Sequence, residues 1–112
     1  MTKPSRAKRI ADLNDKFRKG LPAGGRVYMT AGVNGKGPEF VASALIKVIA
    51  FDDFNADNDP HREHDFGSFE LEGEKLFWKI DYYDLAAEFG SEDPTDPKKT
   101  LRVLTVMLAE EY

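Results

Sequence analysis

The sequence predicts an α+β fold in a single domain, with an antiparallel three-stranded sheet (one strand plus a hairpin) covered by helices. Three observations carry this expectation. Residues 66–83, FGSFELEGEKLFWKIDYY, alternate apolar and polar side chains about Glu72-Gly73, as a β-hairpin requires. RVYMTAGV at 26–33 has the same period of two. Segments 5–19 and 38–52 repeat their apolar residues at helical spacing instead. A chain of 112 residues fits one compact domain, taken here as residues 1–112 with a basic N-terminal arm at about 1–9.

The first helix spans about Ser5 to Lys19. Ser5 can cap it, and Gly20 can stop it in a left-handed conformation. Ile10, Leu13 and Phe17 form its apolar stripe. In the following strand Val27, Met29 and Ala31 share one face. A glycine-rich loop then leads to Pro38, which suits a first helical turn because it lacks an N–H that would go unbonded there. The helix from Pro38 to about Asp52 exposes a narrow polar stripe, Glu39, Ser43 and Lys47, and is expected to lie across the sheet.

A two-residue turn at Glu72-Gly73 sets the hairpin register. Leu71 then opposes Glu74, Phe69 opposes Leu76, and Gly67 opposes Trp78, leaving room for the indole. Glu70 faces Lys75 on the other side. Asp84 can cap a short turn that Gly90 ends. Asp96-Pro97 reads as a helix start, and Leu101, Leu104, Met107 and Leu108 recur at helical spacing. A C-terminal helix is therefore favoured, with a strand as its rival because of the β-branched residues.

Charge is unevenly placed. Residues 1–19 carry seven Lys/Arg against two Asp, a net +5, while the rest carry nine against eighteen, a net −9. An acidic body is a poor binder of phosphate backbone. The absence of cysteine excludes disulfides, thiolate nucleophiles and thiolate metal sites. No run is apolar enough to span a bilayer and no apolar leader is present, so a cytoplasmic protein with no membrane partner is expected.

The chemistry-bearing residues concentrate between Asp52 and Asp84. His61 and His64 sit among Asp57, Asp59, Glu63 and Asp65. Imidazole and carboxylate can bind zinc or manganese, but H-x-x-H in a proline-containing loop is no established metal motif. These two histidines are the weak metal candidates, and polar loop residues are the favoured reading. Extending the hairpin register places His64 opposite Asp81, near Phe66 and Phe77, where a carboxylate could orient the ring. No nucleophile is evident beside it, so a structural contact is favoured over catalysis. DFNADNDPHREH departs from a calcium loop at Asn58 and His64. GVNGKG departs from a phosphate-binding P-loop, and no E-x-K nuclease pattern exists.

From Asp52 to Glu74 there are nine acidic residues against Arg62 alone. With exposed Phe54, Phe66 and Phe77, this makes a candidate partner-binding face. Its residues are Asp52, Asp53, Asp57, Asp59, His61, Glu63, His64, Phe66, Phe77 and Asp81.

LNDKFRKG, GRVYMTAGV, GPEFVASALIKVIAFDDF, DNDPHREHDFGSFE, FWKIDYYD and RVLTVMLAEEY, in order, resemble a small bacterial family catalogued as domain of unknown function 3768. The resemblance implies small cytoplasmic proteins, often carried on plasmids and integrated mobile elements, with no family catalytic residues to carry over. That setting is similar to that of anti-restriction and anti-CRISPR proteins.

The expected function is thus non-enzymatic binding of a protein or protein–nucleic-acid complex with a basic surface. No cofactor is expected, and the chain is expected to be a monomer or small homo-oligomer. The alternatives are a small metal-dependent hydrolase using the His61, His64 and Asp81 region, and a DNA-contacting regulator using Lys3, Arg6, Lys8 and Arg9.

Overall fold

In the computed structural model, which describes residues 4–112, helices pack on one face of a four-stranded sheet. Helix α1 runs over Arg6–Lys19, and the Ser5 hydroxyl accepts the Lys8 amide at 3.1 Å. Ile10 and Phe17 are buried, as the apolar stripe requires. Gly20 ends the helix at φ −98°, so the stop is an ordinary turn and not the expected left-handed one.

Strand β1, Arg26–Met29, is cut short because Thr30 caps a one-turn helix. That helix, α2 (Ala31–Asn34), buries Val33. Gly37 at φ 103° and Pro38 start α3, Pro38–Ala50, which buries Phe40, Ala44 and Val48 and exposes Glu39, Ser43 and Lys47. Strands β2 (Phe66–Leu71) and β3 (Glu74–Tyr83) form the hairpin in the expected register, with Gly67 paired to Trp78 and Phe69 to Leu76. Glu72 and Gly73, at φ 51° and 80°, make the tight turn whose twist matches the strands.

The C-terminal segment overturns the expected sheet. Leu101–Leu108 is a fourth strand, β4, and no helix starts at Asp96-Pro97. Asp96 makes a turn in which its carboxylate accepts the Lys98 amide at 2.9 Å. β4 pairs antiparallel with β3 and parallel with β1, giving the order β1-β4-β3-β2. The sheet is therefore four-stranded and mixed, not three-stranded and antiparallel. The reason lies in LRVLTVML, whose apolar residues fall at both helical and alternate spacings. Such a near-continuous run marks a strand buried on both faces. From Arg102 to Leu108 only Thr105 escapes full burial.

Leu76, Trp78, Ile80, Leu104, Val106 and Leu108 point to the helices and meet Phe17, Val33, Phe40, Ala44 and Val48 in the core. Among the described residues no α-helix packs on the opposite sheet face.

Candidate interaction surfaces

The connection between α3 and β2 lacks regular structure but is wired internally. The Asn55 side chain accepts the amides of Asp57 and Asn58 at 2.9 and 3.1 Å. Asn58 in turn accepts the Asn55 amide at 2.9 Å and donates to the Asp53 carbonyl at 2.7 Å. Asn and Asp are suited to this because their short side chains imitate a backbone turn. Phe54 is not an exposed aromatic. It stacks flat on His64 with centroids 3.9 Å apart and meets Phe51 and Trp78 edge-on. Asp52, Asp53, Asp57 and His61 remain exposed, and the three aspartates take part in no ion pair among the described residues.

His64 does not reach Asp81. Pairing of β2 with β3 begins at Phe66 opposite Lys79, while Ile80 donates to the Asp65 carbonyl at 2.8 Å. His64, at φ 55°, has left the strand direction. Its Nδ1 lies 3.0 Å from both carboxylate oxygens of Asp15 on α1. That partner places the ring proton on Nδ1. Nε2 is 3.7 Å from the buried Asp59, beyond a hydrogen bond, while the Asp59 carboxylate accepts the His64 amide at 3.2 Å.

Asp15 also accepts Arg18 Nη2 at 3.1 Å. Arg18 is 1% exposed, donates through Nη1 to the Val48 and Ile49 carbonyls that end α3, and lies over Trp78. A second network joins Asn14 to the Glu63 carbonyl, the Tyr82 hydroxyl and Arg102, at 2.9, 2.8 and 2.7 Å. Tyr82 donates to the Glu63 carboxylate at 3.0 Å, and burial pushes its phenol well above its ordinary value. Burial, with Glu63 nearby, also raises the Asp65 carboxyl.

Asn14, Asp15 and Arg18 were not among the sequence candidates. A signal was present, since Ile10, Asn14, Phe17 and Arg18 follow the i, i+4, i+7, i+8 spacing of a buried face. Polar residues on such a face need partners. Chemically, this centre holds an imidazole between two carboxylates. No hydroxyl is hydrogen-bonded to the ring, and no group of three His, Asp or Glu has metal-binding geometry among the described residues. A depression of about 510 Å³ beside it is lined by Ser5, Lys8, Phe54, Asp59, Arg62 and His64.

Phe66, Phe77 and Asp81 lie on the helix-free sheet face, away from this centre. Phe66 and Phe77 pack against each other and against Tyr112, with centroids 5.2 to 5.9 Å apart. Asp81 pairs with Lys79 at 3.0 Å. The acidic loop and the aromatic residues thus form two surfaces. Of the basic arm, Arg6, Lys8 and Arg9 lie in α1, and Lys3 falls outside the described residues. No helix among the described residues is long and apolar enough to cross a membrane.

A family model described as "Protein of unknown function (DUF3768)" matches residues 29–111. No curated protein and no solved structure gives a match.

Proposed function

We propose that this chain, which belongs to the DUF3768 family, is a non-enzymatic binding protein that engages a basic macromolecular surface through the loop at 52–58. The observation carrying this reading is the internal wiring of that loop, which projects Asp52, Asp53 and Asp57 without cationic partners among the described residues. Long ordered connections of this kind are commonly functional. A loop already held in shape loses little conformational entropy on binding, and unpaired carboxylates steer it towards positive charge.

The mobile-element setting implied by the family resemblance supports a stoichiometric inhibitor of a host defence complex, whose nucleic-acid groove is basic. The His64 centre supports the loop in this reading, because Phe54 within the loop stacks on His64, which is itself held to Asp15 of α1.

The test compares tagged wild-type protein with the Asp52→Asn, Asp53→Asn, Asp57→Asn triple variant in capture from the native host. A partner lost from the triple variant, and lost from wild type as salt rises, is the expected result. Its association rate should fall by about tenfold or more when the three charges are removed. Equal capture by both proteins would sink the acidic-loop reading. A salt-sensitive DNA shift by purified protein, unchanged in the triple variant, would instead favour contact through Arg6, Lys8 and Arg9.

A further inference from the structure

The central strand β4 is apolar towards both faces, yet helices cover only one. On the uncovered face Val103 and Met107 are buried and Leu101 is half-buried, while Tyr28 on the neighbouring strand is 50% exposed. Two cross-strand rows define the pattern. Arg26, Val103 and Asp81 are aligned in one row, and Tyr28, Thr105 and Lys79 in the next.

We propose that this face binds a second copy of the same chain, with a two-fold axis in the interface plane running along β4. Rotation about that axis exchanges the β1 side with the β3 side and preserves height along the strands. Arg26 of one copy then lies over the partner's Asp81, and Tyr28 lies over the partner's Lys79. Each contact occurs twice, giving two ion pairs and two cation–π contacts around a β4-on-β4 centre. Val103 and Thr105 meet their own counterparts, with the sheets aligned as in β-sandwiches, about 10 Å apart.

The charged groups are accessible, and because Asp81 already pairs with Lys79 of its own strand at 3.0 Å, Arg26 of the other copy joins that pair. Arg26 is exposed and has no ion-pair partner among the described residues, while Lys79 and Asp81 are 41% and 38% exposed at their side chains. With the axis on β4 the overlap takes in β1, β4 and β3, about 14 Å of sheet along the roughly 26 Å of β4, so each copy contributes roughly 370 Å², a small interface of the weak and reversible class. The proposal does not depend on the acidic loop, which packs on the helix side through His64 and Phe54.

Sedimentation velocity of the full chain tests it. Wild type is expected at twice the 12.6 kDa chain mass at concentrations up to about 100 μM. Arg26→Asp and Asp81→Arg should each weaken association by about tenfold or more, because each places like charges together. The double variant, R26D with D81R in one chain, should restore it, since the exchanged charges again face each other. Far-UV circular dichroism confirms that every variant is folded, and Thr105→Arg, which sets two cations on the axis, should leave monomers. Wild type monomeric at that concentration, or a double variant no better than the singles, overturns the proposal. So does a monomer that binds a fluorescent single-stranded oligonucleotide and loses it on Tyr28→Ala, which would make this face a stacking platform.

Discussion

Gly67 sits where β2 crosses the indole of Trp78, and a Cβ placed there would fall on the ring and within 2.8 Å of Phe51 Cζ. Neither ring can move, because both lie in the packed aromatic group with Phe54. Gly67→Ala should therefore destabilise the protein by about 1–3 kcal/mol, read as a lower urea midpoint with unchanged slope. This contact was legible in the sequence, since turn chemistry and a period of two fix a hairpin locally. The Asp15–His64 contact was not, because it joins residues 49 apart through a loop whose path depends on Asn55 and Asn58. Asp65 offers a test with a defined sign. Its carboxyl is held above its ordinary value by burial, so the folded state retains that proton more tightly than the unfolded chain does. The stabilising contribution of the protonated form is complete below the unfolded value and is lost as pH rises through the folded one. Asp65→Asn should melt at a higher temperature than wild type near neutrality, and the difference should vanish in acid.

Among the elements, α1, α3 and the hairpin follow from caps, apolar stripes and turn residues that act over a few neighbours. β4 does not, because both spacing rules are satisfied when almost every position is apolar, and only its tertiary partners choose the strand. The end of β4 is tied to the segment that follows its neighbour β1. Glu111, in the 3₁₀ turn Ala109–Glu111, accepts the Thr30 hydroxyl at 2.6 Å, the Leu108 amide at 2.8 Å and the Gly32 amide at 3.0 Å. The Thr30 hydrogen bond, then that of Leu108, holds its carboxyl below the ordinary value. A depressed carboxyl stabilises above its unfolded value, and that contribution is lost as pH falls through the folded one. Glu111→Gln should therefore speed hydrogen exchange at Gly32 and Leu108 at neutral pH, with little difference from wild type in acid.

At the scale of the molecule, the parallel pairing of β1 with β4 brings residues 26–29 against 103–106, across most of the chain. The strand in the middle of the sheet is thus the last one in sequence. Until it is present, β1 has no neighbour, one edge of β3 stays open, and the apolar side chains of α1 and α3 face half a sheet. Closing so many distant contacts together slows folding, to milliseconds or longer in domains of this kind. It also leaves the hairpin edge exposed to other chains in the meantime, as intermediates with unpaired strands are. A chain ending at Thr100 should accordingly show no cooperative unfolding transition in urea, whereas a discrete transition from that fragment would mean that a subdomain folds without β4. In a cell, synthesis of this protein would proceed past Thr100 before any stable core could close. A chaperone that shelters the β3 edge during that interval would therefore raise the yield of folded protein.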